Sequence, residues 1–91
     1  MLKKINIAVI GATGYTGLDL INLLSKHPRV NIINLCATKN LGKKIAYFDK
    51  RIKKKLPKIT SINNIDWKKI DLAFLSLPNG EAQKIIKKNL L

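Results

Sequence analysis

The stretch Ile5-Asn6-Ile7-Ala8-Val9-Ile10-Gly11-Ala12-Thr13-Gly14-Tyr15-Thr16-Gly17 constrains the fold of this chain more than any other. Its apolar run is rich in β-branched residues and too short for a helix. It ends at Gly11 and passes straight into helical spacing, which predicts strand, tight turn and helix. Glycines at i, i+3 and i+6 form a variant of the dinucleotide fingerprint G-x-G-x-x-G, whose first and last glycines keep their places. Gly11 lets the backbone leave the strand sharply, Gly14 removes the Cβ that would block a pyrophosphate, and Gly17 lets the helix lie close on the sheet. The N–H groups from Thr13 to Thr16 then point unpaired from the positive end of the helix dipole, where an anion belongs. The plain alternative is a glycine-rich βα turn without a ligand, and the flanking strand and helix argue against it.

Length and composition narrow the class. With 91 residues the chain is short for a parallel sheet covered on both faces, and no apolar run is long enough to cross a bilayer. The basic start, Lys3-Lys4, leads into a run that contains Asn6 and ends in a glycine turn, which reads as a first strand rather than an export signal. A single cysteine makes no internal disulfide and the spacing offers no metal site, so the expected compartment is the cytoplasm. The net charge of +13 invites a nucleic-acid reading, yet only Arg29 and Arg51 of the eighteen basic residues are arginine. Bidentate recognition of phosphate and guanine favours arginine, so no specific nucleic-acid or membrane partner is expected.

Tyr15 to Lys26 reads as the first helix, with Gly17, Leu18, Ile21 and Leu24 on one face, widened by Leu20, and Asp19, Asn22 and Lys26 on the opposite one. Pro28 forbids continuation, and His27 reads as a solvated last-turn residue. Val30 to Ala37 carries the near-continuous apolar character of a buried parallel strand, in which Cys36 is an inert thiol. An acid beyond such a strand usually holds the ribose of NAD. Here Thr38 and Lys39 stand at that corner, with Lys43 and Lys44 close behind and no acid before Asp49, a pattern that favours NADP.

Between Lys39 and Lys58 the sequence suggests a short helix at Ile45 to Phe48 and a solvated, basic excursion covering a sheet edge. An anion-attracting rim is the functional alternative. Ile59 to Ile62 reads as a short edge strand, Asp66-Trp67-Lys68-Lys69 as a capped single turn with Trp67 as a lid. Leu72 to Leu77 is another buried strand, which in a doubly wound sheet lies on the other side of the first one. Pro78-Asn79-Gly80 then forms the second wall of a ligand crevice, ahead of a helix carrying Ala82, Ile85, Ile86 and Leu90. The fold class expected is α/β, a Rossmann-like doubly wound parallel sheet left incomplete. Residues 1–91 would be the N-terminal portion of an NAD(P)-binding domain, with the catalytic domain absent.

With these pieces placed, the sequence resembles N-acetyl-γ-glutamyl-phosphate reductase. The likeness rests on Gly11-Ala12-Thr13-Gly14-Tyr15-Thr16-Gly17, the helix ending His27-Pro28, and Leu77-Pro78-Asn79-Gly80 after a buried strand. It spans the whole chain but only the amino-terminal part of that family. The resemblance implies NADPH-dependent reduction of a small-molecule substrate, N-acetylglutamyl 5-phosphate, to its semialdehyde in arginine biosynthesis, through a cysteine thiolate located in later segments. It assigns Gly11, Thr13, Gly14, Tyr15, Thr16 and Gly17 to the pyrophosphate, Thr38 and Lys39 to the adenosine phosphate, and Leu77 and Pro78 to the nicotinamide side. It places no catalytic residue in these 91, and the full-length protein is expected to be a homo-oligomer. Where Asn79 stands the family often has histidine. The alternatives are the cofactor-binding part of an aspartate-semialdehyde dehydrogenase-like or other NAD(P) oxidoreductase, and a non-catalytic dinucleotide-sensing or basic nucleic-acid-binding module.

Overall fold

The computed structural model describes residues 3–77, and within them the expected order of elements holds. Strand β1 (Ile5–Ile10) is followed by helix α1 (Tyr15–Ser25), strand β2 (Val30–Cys36), a two-residue strand β3 (Ile59–Thr60) and strand β4 (Leu72–Leu75). All pairings are parallel and the sheet order is β3-β2-β1-β4, so the chain builds outward on one side of β1 and then returns to the other. This is the doubly wound arrangement, with a topological switch point between the neighbours of β1. The Pro78-Asn79-Gly80 loop and the helix expected after it lie outside the described residues.

Strand β2 is not the uninterrupted ladder its composition suggests. Ile7 pairs with Ile32 and Ala8 with Asn34, which leaves Ile33 as a bulged residue. A strand alternates its faces with period two, so Ile32 and Leu35 would point to opposite sides without the extra residue. The bulge resets the phase, and Val30, Ile32 and Leu35 all join Ile7, Val9 and Ile59 in one buried cluster.

Both faces of the sheet are covered. On one, α1 contributes Ile21 with Leu18, Leu20 and Leu24 packed around it, and the excursion contributes Ile45 and Ile52 with Phe48 and Leu56. The excursion is thus more than a solvated edge cover: Ile52 is 1% exposed and Ile45 3%. Burying a side chain of this size stabilises by about 1.5–3 kcal/mol, enough to hold a segment whose lysines contribute little packing. The expected helix there is a single 3-10 turn, Ile45–Tyr47. On the opposite face Ala8, Ile10, Cys36 and Ile65 are covered by Ile62, Trp67 and Ile70. Trp67 is the expected lid, in a 3-10 turn (Trp67–Lys69) whose N-cap Asp66 accepts the Lys68 N–H.

Helix α1 departs from its expected faces in one respect. Asn22, read as solvent-facing, is buried. The covered arc runs from Leu20 through Gly17 and Ile21 to Asn22, roughly 200° at 100° per residue. Arg51 of the excursion bonds Asp19 on α1 at 2.7 Å, and Asn22 lies one turn further along that same flank. The polar break in β1, Asn6, closes the amino end of the sheet: its N–H donates to the Asp71 carboxylate, its side-chain amide donates to the Lys69 carbonyl, and its Oδ1 accepts from Asn31.

Candidate functional site

Three strand ends meet at Gly11. Its N–H and that of Ala12 both donate to the carbonyl of Cys36, the last residue of β2, at 2.9 and 3.0 Å. On the other side, the Ser76 N–H donates to the Ile10 carbonyl at 2.8 Å. Gly11 has φ +88°, and a Cβ there would overlap the Ser76 carbonyl oxygen and crowd Leu77. Glycine is therefore required twice over, by conformation and by space.

Gly14 differs. Its backbone, φ −74° and ψ 163°, is one that any residue adopts, and a Cβ would come no nearer than 3.7 Å to the Gly11 carbonyl oxygen. That is an ordinary van der Waals contact with no clash, so among the described residues nothing asks for glycine at this position. The position is the N-cap of α1.

The same N-cap gathers unpaired donors. The Leu18 N–H makes the first helical bond, to the Gly14 carbonyl at 2.8 Å, and the Gly14 N–H turns back to Gly11. Among the described residues the N–H groups of Thr13, Tyr15, Thr16 and Gly17 have no acceptor, no side chain caps the helix, and the first turn holds no acid. Tyr15 projects outward, 92% exposed. Unpaired N–H groups at the positive end of a helix, beside a position kept bare of Cβ, make a cradle suited to a phosphate or diphosphate.

The other expected site residues lie around this turn. Thr38 and Lys39 are exposed and follow directly on the end of β2, where the Ala37 N–H is held by the Thr60 carbonyl at 3.2 Å. Leu77 is half-buried against Ala8, Ile10, Cys36 and Ile65, beside Gly11. The fold thus collects the glycine turn, the Thr38-Lys39 corner and Leu77 at the carboxyl ends of three adjacent parallel strands, the place where such sheets bind ligands. Pro78 lies outside the described residues. What sequence reasoning missed is the anchoring by the Cys36 carbonyl and the Ser76 N–H, since a main-chain group carries no residue-type signal.

Other candidates fall away from this place. Burial pushes the Cys36 thiol up, partly offset by the Thr60 hydroxyl 3.9 Å away, and its second contact is the Ser61 carbonyl. Such a thiol is inert. His27 sits at the opposite end of the sheet, where its Nδ1 accepts the Arg29 N–H at 3.1 Å. The excursion forms an open cleft of about 620 Å³ between Lys44, Ile45, Ile52 and the Lys53–Lys58 run, which shares no residue with the glycine turn or the Thr38-Lys39 corner. Among the described residues no group of His, Cys, Asp and Glu is arranged to hold a metal ion, and no helix is long and apolar enough to cross a membrane.

Residues 6–90 match the family described as semialdehyde dehydrogenase, NAD binding domain. N-acetyl-gamma-glutamyl-phosphate reductase of Ehrlichia ruminantium (strain Gardel) is 41% identical over 90 residues, 97% of this chain and 26% of that protein. The Rhodospirillum rubrum protein of the same name is 40% identical over 87 residues, covering 94% and 25%. Among solved structures, aspartate semialdehyde dehydrogenase with NADP from Candida albicans superposes with a TM-score of 0.73 at 29% identity, over 93% of this chain and 26% of that one. The chain therefore spans about a quarter of the length of these relatives.

Proposed function

Since the chain belongs to the semialdehyde dehydrogenase NAD-binding domain family, we propose that it binds NADP as the cofactor-binding portion of an N-acetyl-L-glutamyl 5-phosphate reductase. The observation that carries the site is Gly14, a glycine that packing among the described residues does not require, at the N-cap of a helix whose first N–H groups are unpaired among those residues. A diphosphate there takes hydrogen bonds from the N–H groups of Thr13, Tyr15, Thr16 and Gly17 and gains from the helix dipole. Gly11 and Gly17 act on the protein side, holding the turn against the sheet. Lys39, with Thr38, faces the adenosine phosphate, where a carboxylate would repel it. Leu77 lines the nicotinamide side.

When bound, NADPH supplies the hydride that reduces the acyl group to the aldehyde. The substrate in this reading is a small-molecule acyl phosphate, and its acetylglutamyl identity comes from the reductase relatives at 40–41% identity. The cytoplasm is the proposed compartment. Cys36 is buried within the sheet and takes no part in the chemistry.

The test uses the full-length protein, titrated with NADPH by nicotinamide fluorescence and assayed for phosphate-dependent oxidation of N-acetylglutamate semialdehyde. Gly14→Val should abolish NADPH binding while lowering stability by less than about 1 kcal/mol, the cost of a poorer N-cap. Undiminished binding overturns the diphosphate seat. Turnover of aspartate semialdehyde alone keeps the seat and overturns the substrate.

A further inference from the structure

The corner that carries Thr38 and Lys39 is built in an unusual way. Before it, the Ala37 N–H is fixed to the Thr60 carbonyl. After it, a turn from Asn40 to Lys43 closes through the Lys43 N–H on the Asn40 carbonyl, with Gly42 at φ +85°. This turn is clamped to β3 from both sides: the Gly42 N–H donates to the Ile59 carbonyl at 2.7 Å, and the Ile59 N–H donates to the Lys43 carbonyl at 2.9 Å. Ile59 itself is fully buried. Thr38 and Lys39 are thus a two-residue bridge between two anchors on one short strand.

The joint between bridge and turn is Asn40, at φ 64°, which among the described residues is the only non-glycine with a positive φ. Its side chain is exposed and makes no hydrogen bond among those residues, so what Asn40 contributes is its backbone. Asparagine and glycine enter the left-handed region readily, whereas a β-branched residue resists it strongly. A residue that refuses this conformation must re-route the chain next to Lys39.

We propose that Asn40 is a positioning residue for discrimination between NADP and NAD: its left-handed backbone, clamped through the following turn to Ile59, fixes the Lys39 main chain so that the ammonium meets the adenosine 2′-phosphate. The proposal rests on the reading of Lys39 as the partner of that phosphate. It also gives a role to β3, which is too short to add much to the sheet.

The test measures binding rather than turnover, in the full-length protein, by calorimetric titration with 2′,5′-ADP and 5′-AMP. These probes differ only in the 2′-phosphate. The native protein should prefer 2′,5′-ADP, and Lys39→Ala should remove most of that preference. Asn40→Val should cut the preference five- to tenfold through 2′,5′-ADP alone, leaving 5′-AMP affinity within twofold, whereas general damage would weaken both. Asn40→Ala, a milder change in case the valine protein does not fold, should give a smaller loss of the same kind. Asn40→Gly should keep the native ratio. If Lys39→Ala collapses the preference while Asn40→Val and Asn40→Ala leave it intact, the positioning role is overturned and the Lys39 reading survives. If Asn40→Gly loses the preference as fully as Asn40→Val, the side chain matters and the proposal is overturned. A native protein that binds both probes equally overturns the Lys39 reading and this proposal together.

Discussion

The bare Cα of Gly17 faces the carbonyl oxygen of Gly11 so closely that a Cβ on Gly17 would overlap it, with the Ala12 carbonyl oxygen close behind. This contact sets the distance between α1 and the end of β1. Gly17→Ala gains about 1 kcal/mol of helix propensity and loses more to overpacking, about 1–3 kcal/mol, toward the upper end because the obstacle is main chain. The urea midpoint of Gly17→Ala should therefore fall clearly below the native value. Gly14→Ala, whose Cβ makes only an ordinary contact with the Gly11 carbonyl oxygen, should stay within about 1 kcal/mol of it. Equal stability of the two variants would contradict the tight contact at Gly17.

The element order and the glycine turn of the candidate site are legible in the sequence because each leaves a local mark. The glycine turn lies between a β-branched run and helical spacing, Pro28 ends the helix, and Asp66 announces a capped turn. The bulge at Ile33 leaves no such mark, since it is a property of the pairing between β1 and β2 rather than of either strand. The burial of Asn22 is likewise decided by what lies across α1, and the Asp19–Arg51 contact that draws the excursion there joins residues distant in sequence. In the candidate site, residue types mark Gly14 and Lys39, while the clamp on their surroundings is made by the carbonyls of Cys36 and Ile59 and the N–H of Ser76, main-chain groups that carry no residue-type signal.

Arg51 joins two carboxylates, Asp49 at 2.6 Å and Asp19 at 2.7 Å. Its guanidinium holds the Asp49 carboxyl below the usual carboxylate range, chiefly by hydrogen bonding, and its own pKa is raised in turn. A carboxyl lowered in the folded state contributes stability above its unfolded pKa of about 3.9 and loses it as pH falls through the folded value. The native protein should therefore be more stable than Arg51→Met at pH 6, with the gap closing below about pH 3.9. Thermal unfolding of both proteins from pH 6 to pH 3 checks this. A gap that does not change with pH would mean that Arg51 acts through packing of its stem.

Cys36 provides a test at the alkaline end. Burial is the main cause of its raised pKa, so its contribution is fully present below the unfolded thiol value of about 8.5 and is lost as pH rises through the folded one. Iodoacetamide at pH 8 should label the folded protein no faster than it unfolds, and labelling should become immediate in urea. Cys36→Ala should bind NADPH as the native protein does. Rapid labelling of the folded protein, or loss of binding in Cys36→Ala, would return the thiol to the list of functional groups.

Asn22 is 8% exposed, and among the described residues its Oδ1 has no hydrogen-bond partner. A buried acceptor left unpaired costs about 1–3 kcal/mol. Asn22→Leu keeps a similar shape, removes the orphan acceptor and gains helix propensity, so it should raise stability by about 1–2 kcal/mol in urea unfolding. Asn22→Asp places a charge in the same poorly solvated position without a partner and should lower stability by more than the leucine raises it. Since α1 presents its first turn, not Asn22, to the glycine turn, NADPH affinity should be unchanged in Asn22→Leu. If leucine destabilises and aspartate is tolerated, the amide oxygen has a donor in the folded protein, and the burial of this helix flank must be drawn differently.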